Sequence, residues 1–422
     1  MGRRVLVIGS GGREHALGWR LAGSPSVDRV ESAPGNPGLA SIGPTHDVDA
    51  DDPAAVADLA ERLGFDLVVV GPEAPLVAGV VDELTSRGIA AFGPRAPAAA
   101  IEGSKSFAKE IMLAAGAPTG GWVATSDRDV AHEALERFVA PWVVKADGLA
   151  AGKGVRICDD LDEARRAVDD ALVEGRFGAA GSTLVIEEFL AGPERSVFGV
   201  CDGTDVVLLS PAHDYKRALD GDGGLNTGGM GAYTPVPGFD LGDVDHLRAL
   251  VFRPVLAELA RRGTPFRGLL YAGLVDTAGG PRLLEFNARF GDPETQVILP
   301  RLASDLGDLL HASATGSITD VDVTWNDEAA VTVVLASEGY PEAYEKGRPI
   351  DGVADADAID GVTVFHAGTR LDGDRLVTNG GRVLNVTARG RSVADARDLA
   401  YEAAARISWP GVHRRSDIAA GI

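Results

Sequence analysis

Three apolar runs near the start of the chain, RRVLVIG (3–9), VDRVESAPG (27–35) and FDLVVVGPE (65–73), each pass into a glycine or proline turn. Between them, REHALGWRLAG (13–23) and AAVADLAERLG (54–64) place apolar residues at helical spacing. Buried strands that alternate with helices are satisfied by a parallel sheet covered on its faces by those helices. Residues 1–103 are therefore predicted to form a doubly wound, Rossmann-like α/β unit. PLVAGVVDELTSRG (75–88) is expected to add one amphipathic helix ending at glycine.

The first turn, GSGGREHA (9–16), lies between a strand and a helix, where backbone N–H groups favour an anion. Gly9 and Gly11 fit the start of the dinucleotide fingerprint G-x-G-x-x-G, but Glu14 stands at its third position. A side chain there obstructs the approach of helix to strand. NAD or FAD binding is set aside in favour of phosphate or ribose recognition, with a tight turn without a ligand as the alternative. Gly11, Gly12 and Arg13 are the candidates here, joined by Asn36 and Gly38 and by Gly71, Pro72 and Glu73 from the next two strand ends.

Past residue 104 the alternation stops. SKSFAKEIMLAAG (104–116), LDEARRAVDDAL (161–172) and DVDHLRALVFRPVLAELARRG (243–263) read as helices, and WVVKADG (142–148) and STLVIEEFL (182–190) as strands. RSVFGVCDG (195–203) and DVVLLSPAHDY (205–215) look like an antiparallel pair, and residues 268–291 like a hairpin turning at Gly279–Gly280. AAVTVVLAS, GVTVFHAGT and RVLNVTARG are strands, followed by the helix SVADARDLAYEAAARI. The expected architecture is an α/β unit, a largely antiparallel unit over 104–325, and a small α+β unit over 326–422.

A net charge of −22 argues against a general nucleic-acid or anionic-membrane binder, since both need broad basic surface. It leaves room for one phosphate-bearing substrate held by a local cluster. No apolar run reaches the ~18 residues of a membrane span. Cys158 and Cys201 offer neither metal spacing nor a disulfide framework, which fits a reducing cytoplasm. Only six of the 40 basic residues are lysines: 105, 109, 145, 153, 216 and 346. Lysine is a compact point charge suited to phosphate oxygens, so each one retained against an arginine background is informative.

The stretch VVKADGLAAGKGV (143–155) sets Lys145 at the end of an apolar strand and follows it with Gly148, Gly152, Lys153 and Gly154. Such a loop can lie over polyphosphate. It is no P-loop, because Gly154 and then Val155 follow Lys153 and neither supplies a hydroxyl for magnesium. In VIEEFLAGPE (185–194) the backbone can meet an adenine edge and Glu194 the ribose hydroxyls, although a solvated turn fits this motif alone equally well. In LLEFNARFGDPE (283–294), period-two alternation puts Glu285, Asn287 and Arg289 on one face and Leu284, Phe286 and Ala288 on the other. A carboxylate and an amide oxygen two residues apart are hard ligands suited to Mg²⁺, and Arg289 then faces a transferring phosphoryl group. A solvated edge strand is the bland alternative. The segment HDYKRALDGDGGLNTGGMGAY (213–233) is too glycine-rich for core packing, yet Tyr215, Leu225, Met230 and Tyr233 can anchor it as an ordered substrate loop.

Together these stretches, with PGNPG, GSKSFAK, NARFGDPETQ and ASEGYP, resemble the ATP-grasp superfamily and, within it, the phosphoribosylamine–glycine ligase family, nearly end to end. The resemblance implies ATP-dependent joining of glycine to 5-phosphoribosylamine through a glycyl phosphate, in purine biosynthesis. It implies ATP and Mg²⁺ or Mn²⁺ as cofactors, and a mobile lid over about 120–190. It further implies a cytoplasmic monomer or weak dimer whose partners are small molecules, not nucleic acid or membrane. Carried onto this sequence, Lys105 and Lys145 are similar to the phosphate-binding lysines, with Gly148, Gly152, Lys153 and Gly154 over the phosphates. Glu187, Glu188 and Leu190 match the adenine hinge and Glu194 the ribose carboxylate. Glu285 and Asn287 match the metal ligands, and Arg289 resembles the residue that binds the acyl phosphate. Asp214, Lys216 and Gly291 are carried over to the substrates, and Asp292, with Glu294, to orienting Arg289 or receiving the glycine ammonium. Many superfamily members have an acidic metal ligand upstream of the strand glutamate. Tyr271, Ala272 and Gly273 stand there in this chain, so two protein ligands are expected. A carboxylase or peptide-type ligase of the same superfamily, and a non-catalytic nucleotide sensor, are the competing readings.

Overall fold

The structure, a computed structural model, describes residues 2–150, 154–239 and 241–422. Its first sheet is parallel, in the order Val27–Pro34, Arg3–Gly9, Leu67–Val70, Ala90–Phe92. Leu6 and Ile8 pack with Val56 and Ala60 on one face, and Val5 and Val7 with Leu17 and Leu21 on the other. Burial on both faces is why this strand reads as a continuous apolar run. The helix expected over 75–88 is divided into Glu73–Ala78 and Val80–Ser86, because Gly79 adopts φ +93. That left-handed residue ends one helix and redirects the chain into the next.

The middle of the chain builds two antiparallel sheets. One runs in the order Val206–Leu208, Glu194–Asp202, Arg267–Thr277, Gly280–Asn287. The other runs Trp122–Thr125, Leu184–Glu188, Trp142–Ala146, Val155–Cys158. Helices Arg128–Leu135 and Leu161–Leu172 pack on the second sheet and give it a core of its own, with Leu135, Val144, Cys158, Val168 and Ile186. The helix read over 243–263 is helical throughout but contains a π turn, Arg248–Phe252, just before Pro254. Proline cannot donate to the preceding turn, and the wider turn accommodates the missing bond.

The third sheet runs His213–Asp214, Gly231–Thr234, Ala329–Ser337, Arg382–Gly390, Val362–His366. Its first two strands come from the glycine-rich segment, which is thereby ordered. Met230 and Tyr233 are buried and Tyr215 half-buried, whereas Leu225, expected as an anchor, is 51 % exposed on the small hairpin between Arg217–Leu219 and Gly223–Asn226.

The first and third units meet at a pair of histidines. His366 donates its backbone N–H to His15 Nδ1 at 2.8 Å, and Asn36 donates to the His366 carbonyl at 2.8 Å. Burial, and then the neighbouring His366, push His15 down to about 3; burial pushes His366 to about 4. Both rings are thus neutral in the folded state, while an unfolded chain protonates them below about 6.5. Their contribution is complete above that value and is lost as pH falls from about 6.5 towards 4. The midpoint of thermal unfolding is expected to drop between pH 7.5 and pH 5. In His15→Asn, whose amide oxygen can replace the Nδ1 acceptor, the drop is expected to shrink; differential scanning calorimetry at the two pH values measures both.

Candidate active site

The loops after three parallel strands gather at the carboxyl end of the first sheet, where ligands of open α/β sheets bind. Glu14 dominates this corner. Its carboxylate accepts from the Gly11 N–H at 2.6 Å and from Arg13 Nε at 2.5 Å. A Cβ at Gly9, Gly11 or Gly71 would lie 2.6, 2.7 or 2.2 Å from this side chain. The glycines therefore admit Glu14, which folds back over the turn rather than wedging helix from strand. The chain itself supplies an anion to the helix N-terminus, and this turn does not have the third-glycine approach of a dinucleotide site.

The other residues expected on these loops are closely engaged. Asn36 accepts from the Leu39 N–H at 2.9 Å and donates to the Ser10 carbonyl at 2.9 Å. A Cβ on Gly38 would strike the His15 ring, and one on Gly12 would meet Gln296 and Asn385. Pro72 caps the Glu73–Ala78 helix with extended backbone. Arg13, 7 % exposed, donates to the Phe290 carbonyl at 3.0 Å, and its N–H reaches Asp292 at 3.2 Å.

Arg289 lies across the join between the first unit and the middle sheet. Its Nη2 is 3.0 Å from Glu102 and its Nε 3.4 Å from Glu73. Glu102 also accepts the Ala288 N–H at 2.7 Å, which fixes the strand end carrying the guanidinium. Burial works against the charge on Arg289, but Glu102 and Glu73 outweigh it and raise its pKa. Burial likewise opposes Glu73, yet Arg289 and Arg13 hold it below the usual carboxylate range. Arg289 Nε is buried and has no hydrogen-bond acceptor among the described residues.

Glu285 and Asn287 precede it on the same strand. A β-bulge opposite Gly273 and Leu274 alters the expected alternation upstream: Leu283, not Leu284, is the fully buried residue. Phe286 and Ala288 are buried as expected, leaving Glu285 and Asn287 on the other face. Neither Glu285 nor Asn287 has a side-chain hydrogen bond or ion pair within the described residues. Burial raises the Glu285 pKa, but Lys216, Lys145, Lys105 and Arg289 together hold it below its ordinary value.

The lysines converge from separate elements. Lys105 opens the helix Lys105–Ala114 and donates to the Gly148 carbonyl at 3.1 Å. Asp147, one residue earlier, accepts from the Ser106 N–H at 2.6 Å and so ties the glycine loop to this helix. Lys145 lies 3.0 Å from Glu187 Oε1, and Lys109 lies 2.8 Å from Oε2 of the same carboxylate. Lys109 also donates to Thr119 at 2.9 Å, and Thr119 to the Leu283 carbonyl at 2.8 Å. Glu187, expected at an adenine edge, thus turns its carboxylate to two buried amines. Burial opposes the charge on Lys145, while Glu187 and Glu285 raise its pKa above the ordinary value. Burial and Lys145 lower the Lys105 pKa against the pull of Glu285. In the sequence Lys109 stood out as a retained lysine and as the end of GSKSFAK, but no role was assigned to it.

The remaining candidates lie around this core. Gly148 packs on Ala180 and Gly154 on Ala150, where any Cβ would collide; Gly152 and Lys153 lie outside the described residues. Glu188 accepts from the Gly121 N–H at 3.0 Å, and Leu190 packs against Gly120. Glu194 and Lys216, expected at ribose and substrate respectively, form one ion pair at 2.6 Å. Asp214 accepts from Ser196 at 3.3 Å. Burial and then Asp214 push Glu294 up to about 7, and its carboxylate lies over Gly291, where a Cβ would approach to 2.6 Å. Asp292 is held by Gln296 at 2.9 Å and Arg382 at 3.3 Å, besides the Arg13 N–H.

Comparison with known proteins decides the family. The family models for the phosphoribosylglycinamide synthetase N domain, ATP-grasp (A) domain and C domain match residues 3–102, 103–295 and 330–421. The chain belongs to the phosphoribosylglycinamide synthetase family. It is 54 % identical to the phosphoribosylamine–glycine ligase of Streptomyces coelicolor over 421 residues, covering 99 % of both chains. It is 49 % identical to that of Rhizobium meliloti over 415 residues, covering 98 % of this chain and 97 % of the relative. The crystal structure of phosphoribosylamine–glycine ligase from Thermotoga maritima superposes with a TM-score of 0.86 at 35 % identity, covering 99 % of this chain and 100 % of that one. The three-domain architecture with an ATP-grasp core is that of the family.

Within this ATP-grasp site the shared carboxylate sets a testable dependence. Lys109→Met removes one of the two cations on Glu187 and is expected to raise KM for ATP on the order of tenfold. Steady-state ADP release at varied ATP, with circular dichroism to confirm folding, checks it.

Proposed function

We propose that this chain joins glycine to 5-phosphoribosylamine, converting ATP to ADP and phosphate and yielding glycinamide ribonucleotide. The proposal extends what the names of its full-length relatives say of those proteins. The observation that carries it is the electrostatic setting of Glu285: a carboxylate facing four cations, yet ion-paired to none of the described residues. Four cations gathered around one carboxylate set N–H donors where a polyphosphate can meet them, and an ionised, unengaged carboxylate is open to a divalent cation. Asn287, equally unengaged, supplies a second hard oxygen, so the pair fits Mg²⁺ or Mn²⁺. When bound, that ion screens phosphate charge and orients the oxygens.

The reading of the protein groups follows from their placement. Lys105 and Lys145 bind nucleotide phosphates; Lys109, through Glu187, keeps Lys145 aimed. Gly148 and its neighbours cover the phosphates, and the sheet over 122–188 closes as a lid that excludes water. Arg289, held in place by Glu102 and Glu73, binds the oxygens of a glycyl phosphate. A free carboxylate is a poor electrophile, and phosphorylation gives it a leaving group. The amine of phosphoribosylamine then attacks the acyl carbon and phosphate departs. Asp214 and Glu294 form the acidic side of the site that receives the glycine ammonium. Arg13 and Glu73 face the phosphoribosyl group, and Asp292 organises the turn between the units.

The deciding experiment is an ADP-release assay with phosphoribosylamine generated in situ. Release is expected to require both glycine and the amine; release with bicarbonate in place of glycine would reject the proposal in favour of carboxylase chemistry. Lys145→Ala is expected to keep its fold and lose most turnover, at least about a hundredfold in kcat; a parent-like kcat would remove Lys145 from phosphate binding. Asp214→Ala is expected to raise KM for glycine, read from the same assay at varied glycine.

A further inference from the structure

Arg415 belongs to none of the machinery described above, and its side chain is 1 % exposed. It reaches from the segment after the strand Val412–His413 into the glycine-rich segment 213–233. Its Nη1 donates to the Arg217 carbonyl at 3.1 Å and to Asp222 at 2.8 Å. Nε and Nη2 grip both oxygens of Asp417 at 2.7 Å each. The guanidinium lies 4.9 Å from the centre of the Tyr215 ring. Neighbouring bonds reinforce the grip: Ser416 N–H to Asp220 at 2.8 Å, Gly221 N–H to Asp417 at 2.8 Å, and Ala419 N–H to the Tyr215 hydroxyl at 2.9 Å.

These contacts bracket Lys216, since Tyr215 and Arg217 are its chain neighbours. A glycine-rich backbone has large conformational freedom to lose, and only specific bonds hold it in one conformation. Burying a guanidinium is costly unless its donors are matched, and here four of its five N–H groups meet two carboxylates and a carbonyl. We propose that Arg415 is a positioning residue for the ligation: it fixes the backbone on both sides of Lys216, and with it Asp214, relative to Glu194 and Glu285. The inference rests on the reading of Lys216 and Asp214 as facing substrate. Glu194, on the continuous strand Glu194–Asp202, keeps its place without Arg415, so nucleotide binding survives when the loop loosens.

The test uses the full chain carrying Arg415→Met, Arg415→Lys or Asp222→Asn, with kinetics at varied phosphoribosylamine and calorimetric titration of ATP. Arg415→Met is expected to lose at least about tenfold in kcat/KM for the amine, with ATP affinity held within about twofold. Arg415→Lys, which cannot reproduce the fork, and Asp222→Asn, at an exposed partner, are expected to fall between it and the parent. Parent-like kcat/KM in Arg415→Met, or ATP affinity lost in step with turnover, overturns the proposal. Should Arg415→Met fail to fold, Asp222→Asn decides, and parent-like kinetics there overturn it. Lys216→Met separates the two layers: if it is parent-like, the reading of the loop as a substrate site fails. If it is impaired while the Arg415 variants are parent-like, only the role of Arg415 fails.

Discussion

The Arg289 guanidinium, held between Glu73 and Glu102, is the interaction on which the arrangement depends. The two carboxylates come from the helical segments Glu73–Ala78 and Ala96–Gly103, whereas the arginine lies just past the end of the middle-sheet strand that carries Glu285 and Asn287. A buried arginine needs opposite charge close by, so the first and middle units cannot separate without stranding it. The same contact brings the loops at the carboxyl end of the parallel sheet next to the four-cation pocket. Arg13 extends the join through the Phe290 carbonyl and Asp292, and Arg382 ties the third unit to the same Asp292.

A second constraint is economy of charge. The chain is strongly acidic, yet Glu285 is surrounded by Lys216, Lys145, Lys105 and Arg289. Such a concentration is unfavourable by itself, and neighbouring counter-charges moderate it. Glu187 takes two lysines, Glu194 takes Lys216, and Glu102 and Glu73 take Arg289. Lys145, Lys216 and Arg289 are thereby fixed in position, and Lys105 by the Gly148 carbonyl, while part of their field stays available to an incoming anion. Preorganisation of this kind lowers the reorganisation needed during phosphoryl transfer.

Much of this was legible in the sequence, for identifiable reasons. The parallel sheet could be read because strands buried on both faces leave uninterrupted apolar runs. The phase of Glu285, Asn287 and Arg289 followed from period two, and it survives because the bulge lies upstream, at Leu283–Leu284. What could not be read was whatever depends on contacts distant in sequence. Glu14 looked like a defect in a glycine fingerprint, because the residue that makes room for it from outside the motif, Gly71, lies on another loop. Lys109 closed the GSKSFAK motif without an assigned role, because its partner Glu187 is far along the chain. The break at Gly79 was hidden because the apolar pattern on either side continues in helical register, and only its left-handed φ divides the helix.

The sheet that ends the chain borrows His213–Asp214 and Gly231–Thr234 from a segment made much earlier, and Gly231–Thr234 pairs directly with Ala329–Ser337. During synthesis the lending segment therefore waits, without its neighbour strand, until the later residues emerge. The pairing of Gly231–Thr234 with Ala329–Ser337 is therefore a late, long-range step of folding, and it completes the sheet that the glycine-rich segment shares with the end of the chain.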